Sequence, residues 1–209
     1  MNKTKVLIIT VIFITGSVFG IFAMQHDTPI LDTMCTRSGQ AVIIKPIVDN
    51  FSEHEPLFRA VYTALYEKYP HVMADRIKEF STIGAIAMLA YEHDKKEFDA
   101  HQPTAYFVHA VIDGKPIGYL SFEVQPDGSV YADKMLIDPA YQGMGIAKHL
   151  ANAIFILVPQ ATKVNLITHR SNLMAVNMYK QHGCVEIPIP ATQAWADPKS
   201  WIGLEFTRK

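Results

Sequence analysis

A glycine-rich turn between a strand-like run and a helical pattern is the feature that most restricts the fold of this chain. Residues 130–137 are mostly apolar, the run stops at Asp138, and the segment 142–147, Gln-Gly-Met-Gly-Ile-Ala, then begins a helix. Glycine at positions 143 and 145 lacks the Cβ that would block a close approach to the backbone. The first N–H groups of a helix have no internal partner and carry the positive end of its macrodipole. We therefore expect this turn to bind the phosphates of a ligand.

Other phosphate-binding loops fit the same glycines less well. A dinucleotide-binding loop has a third glycine or alanine at its sixth position and an acidic residue about 20 residues later. Lys148 occupies the first of those places and Lys163 lies near the second. A nucleotide P-loop needs Gly, four residues and then Gly-Lys-Ser/Thr, which the chain does not contain. On the loop alone, an ordinary tight strand-to-helix turn stays open as an alternative.

A second segment, residues 172–183, has the sequence of a short helix with marked ends. Ser171 or Asn172 suits the N-cap, and Gly183 suits the position just after the last turn. Asn172 and Tyr179 fall on one helical face, so both can address the same ligand. Taken alone, Tyr179 is more often explained as a packed core tyrosine.

Together the two segments resemble the GCN5-related N-acetyltransferase (GNAT) superfamily. Its acyl-CoA signature is Gln/Arg-x-x-Gly-x-Gly/Ala, followed later by a helix of the form Asn-x-x-Ala-x-x-x-Tyr-x-x-x-Gly. Every signature position is filled, by the residues Gln142, Gly145, Ala147, Asn172, Ala175, Tyr179 and Gly183. The resemblance implies an α+β fold of three layers, with a mixed, mostly antiparallel central sheet flanked by helices.

The periodicity of the chain predicts the same order of elements independently of that resemblance. From residue 41 to 209 it indicates strand, two helices, three strands, helix, strand, helix and two strands. A capping box between Ser52 and Glu55 is expected to start the first helix. The charged run 92–97 is interpreted as a solvated helix end, and residues 25–40 as a linker.

The resemblance also implies roles for individual residues. For acyl-CoA binding it indicates Leu136, Ile137, Gln142, Gly143, Met144, Gly145, Ile146, Ala147, Asn172 and Tyr179. A backbone N–H near Leu136 would stabilise the oxyanion that develops when an amine attacks the thioester. Tyr179 would protonate the leaving thiolate, and Asp133 is the candidate base, with Glu123 in reserve. These roles predict transfer of an acetyl group from acetyl-CoA to an amine by direct attack in a ternary complex.

Charge and composition restrict the partners. The chain has 19 basic and 20 acidic side chains and no basic block, which argues against nucleic acid as a partner. Its nine histidines lack the spacing of metal ligands, so no metal is expected. The acceptor is expected to be a small molecule or a protein with an amino group, and neither its identity nor the oligomeric state follows from the sequence. The alternatives to an enzyme are a non-catalytic acyl-CoA-binding module and an interaction protein on the same fold.

The N-terminus predicts export or a membrane anchor. Two lysines precede the apolar run 6–24, so residues 1–24 are interpreted as a signal peptide or an N-terminal signal anchor. An exported domain must still meet acyl-CoA, which is made in the cytoplasm. Delivery to a compartment that contains acyl-CoA, another donor or an inverted anchor would each resolve this conflict. Cys35 and Cys184 either form a disulfide or remain a free thiol and a buried strand residue.

Overall fold

The computed structural model describes residues 28–70, 82–194 and 196–208. The strands are β1 Asp32–Cys35, β2 Ala41–Pro46, β3 Ala105–Ile112, β4 Lys115–Val124, β5 Val130–Ile137, β6 Lys163–His169, β7 Val185–Ile187 and β8 Trp201–Thr207. The helices are α1 Glu55–Lys68, α2 Ile83–Asp99, α3 Ile146–Leu157 and α4 Leu173–Gln181. In these ranges no helix has the length and apolar character needed to cross a membrane. The predicted signal peptide or anchor, residues 1–24, lies outside the described ranges.

The strands form one sheet in the order β1-β2-β3-β4-β5-β6-β8-β7. Neighbouring strands are antiparallel except β5 and β6, which are parallel. The predicted α+β class, with a mixed, mostly antiparallel sheet flanked by helices, is confirmed. Strand β1 adds to the predicted order, because its residues fall in the segment interpreted as a linker. Its polar first half hides it in the sequence, and it forms through pairing with β2 from Asp32↔Ile44 to Cys35↔Ala41.

The central strands β3, β4 and β5, the three consecutive strands of the predicted order, follow one another as hairpins. Asp113 and Gly114 join β3 to β4 with φ of 49° and 79°, the positive values that a two-residue type I′ turn requires. Gly128, with φ of 81°, turns the chain between β4 and β5. These local turns set the register of the strands that later border the functional site.

Helices α3 and α4 cover one face of the sheet. Helix α3 buries Ile146, Leu150 and Ile154 in the main core cluster. Leu150 is fully buried, which contributes about 1.5–3 kcal/mol relative to an exposed leucine. On β6, residues 164 and 166 share this face because they are two apart, and Leu166 packs with Val176 of α4. The two helices that begin beside the signature residues are therefore fixed on the same side.

Helices α1 and α2 cover the opposite face through an aromatic cluster. Its buried members include Phe51, Phe58, Tyr91 and Tyr119. The Phe58 and Tyr119 ring centroids lie 5.0 Å apart, and Phe51 meets Tyr119 edge-to-face at 5.8 Å, within the geometry that aromatic pairs prefer. Leu136 belongs to the same cluster. The α1 and α2 layer therefore reaches the end of β5.

Helix α1 begins differently from the prediction. A 3-10 turn at Phe51–His54 precedes it, and Asn50 caps this turn by accepting a hydrogen bond from the Ser52 backbone N–H at 3.1 Å. The Ser52 hydroxyl also lies 2.5 Å from Asn50 Oδ1. The predicted capping box between Ser52 and Glu55 is therefore wrong. Asparagine is as good an N-cap as serine, and here it acts two residues earlier in the chain.

The interpretation of residues 92–97 as a solvated helix end is also wrong in one respect. Asp94 is fully buried, although its charged neighbours on α2 are more exposed. Helix periodicity explains this, because Asp94 follows the buried residues Ala87 and Tyr91 by seven and three positions and shares their face. The carboxylate therefore lies between α2 and the sheet.

The sheet opens between β5 and β6. Only the first two residues of β5 pair with β6, the second of them through Tyr131↔Asn165. A β-bulge follows at Asp133, because Ala132 and Lys134 pair with consecutive residues of β4. A bulge bends its strand and increases the local twist. The second half of β5 thus leaves β6 and borders a cleft.

The two cysteines lie at opposite edges of the sheet. Cys35 ends β1 and Cys184 immediately precedes β7, and both are free thiols. Neighbouring strands lie about 4.8 Å apart, whereas a disulfide needs Cα atoms roughly 4.4–6.8 Å apart. The disulfide alternative is therefore excluded in this fold.

Candidate functional site

A cleft of about 490 Å³ lies where β5 separates from β6. It is bordered by the end of β5, the loop before α3, and helices α1 and α4. Nine of the ten residues implied for acyl-CoA binding line it, namely Leu136, Ile137, Gln142, Gly143, Gly145, Ile146, Ala147, Asn172 and Tyr179. Helix α1 adds Val61, Ala64, Leu65 and Lys68. The fold thus joins two signature segments that are distant in sequence.

Three predicted residues lie outside the lining of this cleft. Met144 packs against the core cluster that α3 buries. Asp133, the candidate base, is exposed at the bulge and forms an ion pair with Lys134. Glu123, the reserve candidate, is exposed on β4, where neighbouring side chains donate hydrogen bonds to it. Neither candidate carboxylate is therefore brought into the cleft.

The loop of residues 142–147, the phosphate loop, has the backbone conformation of an anion-binding loop. Gly143 and Gly145 adopt φ of 75° and 88°, a region in which a Cβ is strained. Gln142 holds the loop by donating from Nε2 to the Ile137 carbonyl at 3.2 Å. Gly145 is the N-cap of α3, whose first turn contains no acidic residue. An anion here meets the unpaired N–H groups and the positive end of the helix.

The hydrogen-bond phase of β5 determines which of its amides face the cleft. The Asp138 N–H donates to the Ile117 carbonyl on β4 at 2.9 Å. Amides of an antiparallel strand alternate between its two sides, so the Leu136 amide also points to β4. Those of Met135 and Ile137 point the other way, toward the opening left by β6. An oxyanion donor on this strand is therefore the amide of Met135 or Ile137 and not that of Leu136.

Tyr179 contributes a protonated phenol to the cleft. It lies on α4, is partly buried, and packs against the apolar cluster around Leu166. Burial raises the pKa of Tyr179 to about 12, and the nearby Cys184 adds to this shift. The phenol is therefore neutral at pH 7 and can give a proton to a leaving group, as a general acid must.

Asn172 is the N-cap of α4 and is one of the two residues predicted for that position. Its Oδ1 accepts a hydrogen bond from the Ala175 backbone N–H at 3.4 Å. The same residue lines the cleft. Capping therefore fixes the start of α4 beside the phosphate loop, and Gly183, with φ of 88°, ends the helix in the left-handed conformation that glycine favours.

Several residues that line the cleft carry no signal in the sequence. They are Lys68, Met135, Tyr141, Lys148, Met174 and His182. Lys68 ends α1, and its Nζ lies 3.9 Å from the Met174 sulfur on α4, across the cleft. Among the described residues that line the cleft, none is Asp or Glu. Lys68 and Lys148 therefore give it a positive charge, which suits a phosphate-bearing ligand.

A buried charge cluster lies at the same strand end on the α2 side, and its centre is Asp94. The Asp94 carboxylate accepts hydrogen bonds from Tyr119 Oη at 2.7 Å, Lys134 Nζ at 2.8 Å and Ser121 Oγ at 3.4 Å. Burial disfavours the charge, but hydrogen bonds from His93, Lys134 and Tyr119 outweigh it and hold the pKa of Asp94 below its ordinary value. Burial likewise opposes the charge on Lys134, yet nearby carboxylates raise its pKa. Both groups of this Asp94 cluster are charged at neutral pH.

One group of metal-type ligands occurs in the described ranges, and it overlaps the Asp94 cluster. It consists of His93, Asp94 and Glu97, whose ligand atoms lie within 4.8 Å of one another. The Lys134 ammonium bonds the same Asp94 oxygen that contacts His93. The ammonium thus supplies the positive charge that a metal ion would bring, and the group fits an ion-pair network.

Comparison with known proteins agrees with this geometry. The acetyltransferase (GNAT) family model matches residues 60–184, more than half of the chain. The crystal structure of PaiA N-acetyltransferase from Thermoplasma acidophilum in complex with coenzyme A is 14% identical with a TM-score of 0.55, covering 79% of this chain and 98% of that chain. The GNAT domain of S. lividans PAT is 16% identical with a TM-score of 0.56, covering 84% and 96%. No curated protein sequence matches the chain.

The family match and the solved structures support different conclusions about the chain. At these identities the solved structures show the fold alone. The family match is independent of them, and its residue range contains the end of β5, the phosphate loop and α4. The chain therefore belongs to the acetyltransferase (GNAT) family, and its class of chemistry is acyl transfer.

Proposed function

We propose that the protein is an N-acetyltransferase that moves an acetyl group from acetyl-CoA to an amine. One observation carries the proposal: a single cleft contains the phosphate loop, two amides of β5 that face the cleft, and the protonated phenol of Tyr179. These are an anion cradle, an oxyanion donor and a general acid. That the Thermoplasma acidophilum N-acetyltransferase has a similar fold and was crystallised with coenzyme A supports the choice of donor.

The phosphate loop would hold the pyrophosphate of the donor. Gly143 leaves the backbone accessible, since among the described residues other than its chain neighbours no heavy atom lies within 4 Å of where its Cβ would stand. The first-turn amides of α3 meet the phosphates with the positive end of the helix dipole. Lys68 and Lys148 add two positive charges to the same cleft. Acetyl-CoA in turn supplies the thioester that the other residues act on.

The chemistry follows from the groups around the end of β5. The amine nitrogen attacks the thioester carbon, and the amide of Met135 or Ile137 stabilises the oxyanion, an effect worth about 10²–10³ in kcat for one donor. When the C–N bond has formed and the C–S bond breaks, Tyr179 gives its proton to the thiolate sulfur. The acceptor ammonium first loses one proton, and we assign its removal through water to Asp133, whose side chain is solvent-exposed. The second excess proton on the nitrogen leaves as the C–S bond breaks and restores the Tyr179 phenol.

A tyrosine substitution tests the proposal. Release of free thiol from acetyl-CoA would be followed with a panel of small primary amines, polyamines and lysine peptides. Tyr179→Phe should lower kcat on the best amine by about 10²-fold or more, while calorimetry shows acetyl-CoA affinity within about threefold of wild type. Tyr106→Phe, on β3 and outside the cleft lining, is the matched control and should behave as wild type. Full turnover by Tyr179→Phe would contradict the assigned role.

A non-catalytic acyl-CoA-binding module is the second candidate. The observation that favours it is the lack of any carboxylate among the described residues that line the cleft. Under this alternative the wild-type protein binds acetyl-CoA but releases no thiol with any amine of the panel. Asp133→Asn and Glu123→Gln then identify the base, because loss of turnover in Asp133→Asn alone assigns it to Asp133, whereas loss in Glu123→Gln alone assigns it to the reserve candidate.

Export or anchoring through residues 6–24 stays a prediction. The described domain would then act outside the cytoplasm, provided that acyl-CoA reaches it. Fractionation of cells that express the full-length protein tests this directly. Full-length protein in the soluble cytoplasmic fraction, with its N-terminus intact, would contradict both the signal peptide and the anchor.

A further inference from the structure

The end of β5 is supported by the sheet on one side only. Strand β6 pairs with β5 no further than Tyr131, so from the bulge at Asp133 onward β4 is the only strand that pairs with β5 within the described part of the chain. An edge that follows a bulge has few backbone hydrogen bonds to resist displacement. An oxyanion donor, however, needs to be held within about 0.5 Å of its working position. Contacts from outside the sheet must supply the missing support.

Asp94 binds one side chain of β5 and one of β4 close to Met135. Lys134 precedes Met135 on β5, and Tyr119 is the β4 partner of Leu136, the residue that follows it. Both side chains reach the Asp94 carboxylate, at 2.8 Å and 2.7 Å. One carboxylate on α2 therefore ties β4 and β5 together directly beside the amide that faces the cleft.

Burial makes this attachment strong. Asp94 is fully buried and the Lys134 side chain is only 17% exposed, so water screens their charges little and the hydrogen bonds are charge-assisted. The Lys95–Asp99 pair on the same helix is different, because its side chains are 36% and 54% exposed. Water and salt screen the charges of such surface pairs, so these pairs do little to hold the backbone in place.

We propose that Asp94 is a positioning residue for acyl transfer, which acts through Lys134 and Tyr119 to fix the Met135 amide toward the acyl carbonyl. The inference rests on the proposed acetyl transfer. Asp94 does not line the cleft, and its hydrogen bonds go to α2, β4 and β5 and not to the phosphate loop. Its loss should therefore change the polarisation of the carbonyl and kcat, and leave the binding of the phosphates largely intact.

The test uses full-length protein and [1-¹³C]acetyl-CoA. In the wild type, hydrogen bonding to the bound thioester carbonyl should move its ¹³C resonance downfield of free acetyl-CoA. In Asp94→Asn/Lys134→Met, the carbonyl resonance should return at least about halfway to its position in free acetyl-CoA. The kcat on the best amine should fall by about tenfold or more. The dissociation constant of acetyl-CoA should stay within about threefold, because the phosphate loop is unchanged. Asp99→Asn, the same substitution at an exposed site of α2, should match the wild type.

The double variant is chosen because it removes both charges and leaves neither buried without a partner, whereas removing one partner alone is strongly destabilising. If it does not fold, Tyr119→Phe removes one hydrogen bond, keeps the ion pair, and should give a smaller shift in the same direction. A folded variant with the wild-type carbonyl resonance and kcat overturns the positioning role. A wild type that binds acetyl-CoA with an unshifted carbonyl also overturns it, and a wild type that binds no acetyl-CoA removes the proposed function and this inference together.

Discussion

The phosphate loop and the Asp94 cluster border the same strand end and are built by opposite means. The loop consists of six consecutive residues, uses glycines at positive φ, and presents backbone amides. The cluster joins side chains from α2, β4 and β5 and depends on buried charge. Local conformation makes the proposed binding site, whereas long-range contacts make the proposed support. Changes in the loop should therefore mainly affect ligand binding, and changes in the cluster should mainly affect stability and geometry.

The largest effect on stability is expected from Lys134→Met. This change leaves the Asp94 carboxylate buried without its ammonium partner, which should lower the free energy of unfolding by about 3–5 kcal/mol. Urea denaturation measures the loss. Lys148→Met, which removes a lysine that lines the cleft beside the phosphate loop, is the matched comparison.

Lys148→Met should change stability by less than about 0.5 kcal/mol, as exposed surface substitutions usually do. It should instead weaken acetyl-CoA binding. Equal losses of stability in the two lysine variants would remove the distinction between a local binding loop and a buried support.

The difference between the two regions also explains what the sequence could predict. The phosphate loop and the caps of α4 depend on residue types at fixed short spacings, so Gly143, Gly145, Asn172 and Gly183 were sufficient to predict them. The Asp94 cluster depends on three segments that meet only in the folded sheet. A charged run such as 92–97 is usually solvated, and no local pattern marks which of its members turns inward.

A second buried polar pair, His54 and His109, differs from the Asp94 cluster because it is neutral. His54 Nδ1 lies 3.1 Å from the Phe51 carbonyl and must donate to it, so His54 Nε2 accepts from His109 Nδ1 at 2.9 Å. The remaining nitrogen of His109 is buried and has no hydrogen-bond partner among the described residues. Burial lowers the pKa of His54 to about 4 and that of His109 to about 3.

Acid should therefore destabilise the protein in two overlapping ranges of pH. Histidines with a lowered folded pKa contribute stability above their ordinary pKa of 6.5, and this stability is lost as pH falls from 6.5 toward 4 for His54 and toward 3 for His109. The loss at pH 4 should be on the order of 3 kcal/mol for each histidine. The pKa of Asp94 is lowered from 3.8, so the stability from its charge is present above 3.8 and is lost only below it.

Thermal unfolding between pH 7 and pH 4 checks the histidine window. His54→Phe/His109→Leu should flatten the fall in unfolding temperature over this range, and His101→Gln, at an exposed site, should not. A double variant that keeps the wild-type slope would show that other groups cause the acid sensitivity.

The smallest effect is expected at the contact between β1 and helix α3. His149 Nδ1 on α3 forms a hydrogen bond with the Asp32 carboxylate of β1 at 2.6 Å, and both side chains are close to one-third exposed. Asp32→Asn should cost about 1 kcal/mol or less in urea denaturation and weaken acetyl-CoA binding by less than about twofold. A larger loss of affinity would show that the phosphate loop depends on long-range support, as the Asp94 region does.

Strand β1 and the β5 amides show two further limits of the sequence. The four residues of β1 carry no apolar alternation, and only pairing with β2 makes them a strand. The choice of Met135 or Ile137 over Leu136 depends on hydrogen-bond phase, which is set by the partner strand and not by residue type. The sequence predicts a donor near Leu136, and the register between strands determines which amides of that strand face the cleft.

Acetyl-CoA binding to two glycine variants of the full-length protein tests the central claim most directly. Gly145 in the phosphate loop and Gly128 in the β4–β5 turn have similar φ, 88° and 81°, so alanine at either site should cost a similar amount of stability, about 1–2 kcal/mol. By calorimetry, Gly145→Ala should weaken acetyl-CoA binding by about tenfold or more, because its Cβ blocks the backbone approach, while Gly128→Ala binds as the wild type does. Equal affinity in both variants would contradict an acyl-CoA site at this loop.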